Sequence, residues 1–79
     1  MNSFINVRET IHHGDYHNVR EMKIPPTWDG FVSLMTSSPY AGGSTAENLA
    51  RNGYAARTFA DLINKGRASR GWADYQVVS

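Results

Sequence analysis

The chain contains no cysteine. Small secreted domains usually lean on disulfides, so this absence points to a reducing, cytoplasmic setting, and it excludes any zinc site built on thiolates. Long apolar runs are also missing. Nothing approaches the roughly 20 apolar residues of a membrane span, and residues 1–9 lack the basic and then apolar segments of a signal peptide, so no membrane partner is expected. Charge of one sign is scarce too. The net charge is +1, well short of the basic surplus that marks a strong nucleic-acid binder.

What is present fits one small folded unit. The chain has 79 residues, of which 41% are hydrophobic and 11% aromatic, enough for a compact core and too apolar for intrinsic disorder. Composition divides near Tyr40. All eight alanines follow it, whereas the first 24 residues are rich in Ile, Val, Asn and His. The early part therefore reads as strand and the later part as mostly helix. Charge divides in the same way: residues 1–43 hold three basic and four acidic side chains, residues 44–79 five basic and three acidic.

Residues 4–24 read as a β-hairpin. Asn6-Val7-Arg8-Glu9 recurs as Asn18-Val19-Arg20-Glu21, with Gly14-Asp15 between the copies. A two-residue loop with glycine first suits a type I′ or II′ turn. The resulting register sets Ile5 opposite Ile24, Val7 opposite Met22, Arg8 opposite Glu21 and Glu9 opposite Arg20. Two apolar pairs and two opposite-charge pairs emerge together, each worth about 0.2–1 kcal/mol, and a one-residue slip destroys most of them. Pro25-Pro26 ends the second strand.

Thr27 then caps a short helix with Trp28, Phe31, Val32 and Met35 on one stripe. Residues 37–43 carry turn residues throughout and read as a loop. Ser44-Thr45-Ala46-Glu47 has the form of a capping box, with Ser44 as N-cap and Glu47 at N3. Beyond it, either two helices (45–52 and 55–65) meet at Gly53 or one helix runs over 45–65; the two-helix reading is preferred. Residues 65–71 read as a basic loop and residues 72–78 as a final strand joining the hairpin. The expected fold is a single α+β domain over 1–79: a three-stranded antiparallel sheet with two or three helices on one face, in the order ββαααβ.

Four constellations invite chemistry. His12 and His17 face each other and offer two ligands to a transition metal, but His13 points to the other face and Asp15 sits at the tip, so no metal site is expected. Gly42-Gly43-Ser44-Thr45 precedes a helix yet lacks the lysine and spacing of a phosphate-binding P-loop. No nucleophile elbow, zinc-protease motif or spaced carboxylate pair occurs, so neither catalytic residues nor a cofactor is expected. Finally, the two late helices have a helix-turn-helix outline. Under that alternative, a small nucleic-acid-binding regulator would use Arg51, Arg57, Lys65, Arg67 and Arg70.

The leading expectation is a non-enzymatic interaction protein. Trp28, Tyr40, Tyr54, Trp72 and Tyr75, together with the arginines, exceed what so small a core can bury, and these residue types dominate interface hot spots. Tyr54, Arg67, Arg70, Trp72 and Tyr75 are the candidate partner-binding residues. The expected partner is a larger protein or ribonucleoprotein, blocked by a monomer or homodimer that occupies its surface. Short, motif-free chains of this kind abound among phage or mobile-element inhibitors, including anti-CRISPR-like anti-defence factors. That last expectation follows from size and not from any residue.

Overall fold

The computed structural model describes residues 3–37 and 45–79. In chain order these form β1 (Ile5–His12), β2 (His17–Ile24), α1 (Trp28–Ser37), α2 (Ala46–Arg51), α3 (Gly53–Lys65), β3 (Arg67–Arg70) and β4 (Ala73–Val77). The reading of residues 38–43 as loop and of Ser44 as N-cap falls outside the described residues.

β1 and β2 pair antiparallel in the register expected from the repeat, from Ile5 opposite Ile24 through His12 opposite His17. Gly14 has φ 94°, and no non-glycine residue has positive φ, which selects the II′ form of the hairpin turn over I′. β4 lies against the other side of β1, with Val7 opposite Val77, Glu9 opposite Tyr75 and Ile11 opposite Ala73.

The sheet has four strands, in the order β2-β1-β4-β3, where three were expected. The added strand is β3, in the segment read from sequence as a basic loop. Its arginines obscured a second two-residue hairpin: Arg70 pairs with Ala73 across Gly71-Trp72, and Gly71 has φ 60°. This turn again has glycine in the first loop position, as a II′ turn requires. Trp72 therefore sits in the turn rather than in the final strand, and the order is ββαααββ.

Burial follows the strand alternation. Val7, Glu9, Ile11, Ala73, Tyr75 and Arg70 are buried, while their neighbours Arg8, Asp74, Gln76 and Ser69 are exposed. One face of the sheet thus carries the helices and the other faces solvent. On the covered face, Phe31, Leu34 and Met35 of α1, Leu49 of α2, and Ala55 and Leu62 of α3 complete the core. Trp28, Phe31 and Phe59 form a three-ring cluster with centroids 5.4–5.5 Å apart, which joins α1 to α3.

The cap of α1 is the one expected from the sequence, whereas the start of α2 and the break before α3 differ from it. Thr27 caps α1 through its hydroxyl, which accepts from the Gly30 N–H at 3.3 Å. For α2 the N-cap is Thr45, whose hydroxyl accepts from the Asn48 N–H at 3.2 Å. Glu47 accordingly lies one place earlier than a capping box needs and pairs with Arg51 instead. Residues 45–65 form two helices, and the break is at Asn52 rather than Gly53. The Asn52 N–H donates to Leu49 O at 3.2 Å, and its Oδ1 accepts from the N–H groups of Tyr54 and Ala55. One residue thus closes α2 and opens α3.

The covered face also holds a polar row. Glu9 is fully buried. Its Oε1 accepts from Arg20 Nε on β2, and its Oε2 accepts from the Tyr75 hydroxyl on β4 at 2.6 Å. Arg20 in turn donates through Nη2 to Ser37 Oγ at the end of α1, at 3.3 Å. The Glu9–Arg20 pair is the one expected from the sequence, and its carboxylate lies inside because Glu9 shares the alternation of Val7 and Ile11.

Two stability measurements check this account. Tyr75→Phe deprives the buried carboxylate of a donor and is expected to cost about 1–3 kcal/mol in chemical denaturation. Gly30→Ala normally gains about 1 kcal/mol in a helix interior. Here the new Cβ falls 2.1 Å from the Pro25 carbonyl oxygen, so the sign reverses, and a loss of about 1–3 kcal/mol is expected from overpacking.

Candidate functional site

Both two-residue turns lie at the same end of the sheet, because β1 runs into its turn where β4 leaves its own. The His12 N–H donates to Trp72 O at 2.9 Å, and the His13 N–H to Tyr16 O at 2.8 Å. Each turn presents an aromatic side chain to solvent: Trp72 is 68% and Tyr16 62% exposed. The His13 ring stacks on Tyr16 with centroids 4.7 Å apart, which restricts the tyrosine at little conformational cost.

A third aromatic residue arrives from α3. The Tyr54 hydroxyl donates to Ser69 O at 3.1 Å, so the start of the helix is fastened to β3 near the second turn. Arg70 places its guanidinium carbon 5.3 Å from the Tyr54 ring centre, and Arg57 lies at 6.0 Å, both within cation–π range. Half of the tyrosine stays exposed. Tyr16 and Trp72 thus sit in the two turns, joined through the His12 N–H bond to Trp72 O, and Tyr54 on α3 is tied to β3 by its hydroxyl.

The five residues expected to bind a partner divide on burial. Tyr54, Arg67 and Trp72 are exposed. Tyr75 is buried with its hydroxyl on Glu9, and Arg70 is buried beneath Tyr54. Strand alternation decides this: Arg70 and Tyr75 share the covered face with Ala68 and Ala73. Sequence reasoning missed Tyr16 altogether, although its place beside Gly14-Asp15 at a hairpin tip was a usable signal.

Of the residues of the nucleic-acid alternative, the structure brings Arg57 and Arg70 together over the Tyr54 ring. Arg51 is paired with Glu47, Lys65 with Asp61 at 3.4 Å, and Arg70 is buried. α2 and α3 are separated by Asn52 alone, whereas a helix-turn-helix has a turn of three or four residues. Thr58, near the start of the would-be recognition helix, is buried and donates to Tyr54 O at 2.8 Å.

A polar chain runs along the open face behind the turns. Ser69 Oγ donates to Asp74 Oδ1 at 2.5 Å, and Asp74 Oδ2 lies 2.7 Å from His12 Nε2. The residue types are those of a serine-hydrolase triad, but the order is not. The carboxylate stands between hydroxyl and imidazole, so the His12 ring contacts Asp74 and not Ser69, unlike the base of a triad. His12 and His17 have ring centroids 6.1 Å apart, and among the described residues no group of three or more His, Cys, Asp or Glu could hold a metal ion. No helix among them is long and apolar enough to cross a membrane. Comparison with protein-family models, with curated proteins and with solved structures finds no match to this chain.

The hydroxyl of Ser69, and next the His12 ring, hold the Asp74 carboxyl below its usual value of 3.8. Between the folded and unfolded values the unfolded chain binds more protons, so this contribution is present above about pH 4 and is lost as pH falls through the folded value. The stability gap between the wild type and Asp74→Asn is expected to shrink as pH is lowered from 5 to 2. Urea midpoints across that range measure it.

Proposed function

We propose that this chain is a non-enzymatic interaction module that docks on a larger protein through the turn end of its sheet. The observation that carries the reading is the exposure of Tyr16, Tyr54 and Trp72 at one end of the sheet, with Tyr16 stacked on His13 and Tyr54 held by its hydroxyl. Large, restrained aromatic side chains lose little entropy on binding and desolvate well, which is why they dominate hot spots. Arg57 beside Tyr54 adds a charge at the rim. Occupying a partner's surface, and so blocking it, is the mode of action that an exposed aromatic end supports. A protein partner is favoured over nucleic acid because, of the basic residues a helix-turn-helix would use, Arg51 and Lys65 are paired and Arg70 is buried.

The test is affinity capture with the tagged protein from its native host, half of each sample being treated with nuclease. The wild type is expected to recover a protein that survives nuclease. Trp72→Ala and Tyr16→Ala are each expected to weaken that capture by about thirtyfold, the scale of a 2 kcal/mol hot spot. Both side chains are mostly exposed, so the stability of the variants should lie within about 0.5 kcal/mol of wild type. Capture that is abolished by nuclease would transfer the reading to nucleic acid, and capture untouched by either substitution would move the surface elsewhere.

A further inference from the structure

The uncovered face of the sheet holds a concavity of about 580 Å³, within the roughly 300–1,000 Å³ of small-molecule sites. Its floor is set by strand register. Arg8 on β1 lies opposite Gln76 on β4, and Gln76 lies opposite Arg67 on β3. The two arginines therefore occupy one row, about 10 Å apart at Cα by two interstrand steps. One row further on, Thr10, Asp74 and Ser69 stand side by side in the same way. All six line the concavity.

The charges there are not spent on one another. Among the described residues no ion pair or hydrogen bond engages the Arg67 side chain, and Arg8 approaches Glu21 only to 3.9 Å with both side chains half-exposed. At the rim, by contrast, Lys65 is paired with Asp61 at 3.4 Å. Two planar guanidiniums flanking an amide suit the oxygens of a phosphate group, which arginine binds bidentately. Asp74 is committed through only one hydrogen bond at each oxygen. A carboxylate has about four lone-pair directions, so it retains capacity for hydroxyl donors. What is missing from the floor is equally informative. Among the described residues Tyr75 contributes the only aromatic residue of the lining, and its ring is buried on the other face of the sheet. None of the described residues in the concavity stacks a nucleobase or buries an alkyl chain.

We propose that this face binds a small phosphorylated polyol of the sugar-phosphate class, with Arg8 and Arg67 on the phosphate and Asp74, Gln76 and Thr10 on its hydroxyl groups. The site is separate from the aromatic end and does not rest on the docking role proposed above.

Isothermal titration at low ionic strength tests it, using ribose 5-phosphate, inorganic phosphate and ribose as probes. Ribose 5-phosphate is expected to bind at one site per chain, at least tenfold tighter than inorganic phosphate, and ribose not measurably. Arg67→Ala and Arg8→Ala should each weaken both phosphate probes at least tenfold. Arg67 supports no other side chain, so its variant tests the site with the fold intact. Asp74→Asn should bring ribose 5-phosphate down to the level of inorganic phosphate. Absence of saturable binding, equal affinity for the two phosphate probes, or unchanged affinity in Arg67→Ala would overturn the proposal. So would a short single-stranded oligoribonucleotide that binds at least a hundredfold tighter than ribose 5-phosphate, since the ligand would then be a polymer backbone.

Discussion

A buried carboxylate must keep its partners, and Glu9 has them on both flanks. Arg20 reaches it from β2 and the Tyr75 hydroxyl from β4, and through Arg20 the contact extends to Ser37 at the end of α1. Moving an ionised group out of water costs several kcal/mol, and only good geometry offsets this. The gain is specificity of register. Glu9 stands at the middle of the β1–β4 ladder, between Val7–Val77 and Ile11–Ala73. A slip of one residue would expose both apolar pairs and turn Arg8 and Thr10 inward, with no arrangement to receive them. The two hairpins become one sheet only in the register that satisfies this carboxylate.

From that seam the division of the molecule follows. Strand alternation sends one set of side chains into the helices and the other into solvent. α1 and α3 meet over the covered face through Trp28, Phe31 and Phe59. The open face keeps the polar set, including the arginine row and the Ser69–Asp74–His12 chain. Residues in the turns belong to neither face, which is why, among the described residues, Tyr16 and Trp72 are the most exposed of the large apolar side chains.

The first hairpin was legible because its information is local: a turn glycine, a repeat and matching cross-strand pairs within 20 residues. β3 was harder to see because its four residues, Arg67-Ala68-Ser69-Arg70, have little intrinsic strand preference. They become a strand by pairing with β4, a tertiary effect. The fate of Arg70 and Tyr75 was equally hidden. Both look like interface residues by type, and only the register of β3 and β4 reveals that they point inward. The pairing of Glu9 with Arg20 was legible, and its odd-numbered place beside Val7 and Ile11 already implied the burial that the pairing alone did not. Asn52 was visible as a helix break, but its double capping role needed the geometry of both helices.

The Glu9–Tyr75 contact spans 66 positions of the chain. Because synthesis runs from the N-terminus, the first hairpin is complete long before β4 exists. A two-stranded hairpin alone is marginal in water, and during that interval β1 presents an unpaired edge, the kind of surface on which wrong chains pair. An inward-pointing charge is one of the devices that discourage such pairing. Glu9 supplies it at the centre of that edge: an intruding apolar strand would have to bury the carboxylate with no hydroxyl to receive it. The residue that locks the finished sheet is thus also its guard while it is half made, and the arrival of Tyr75 ends that duty.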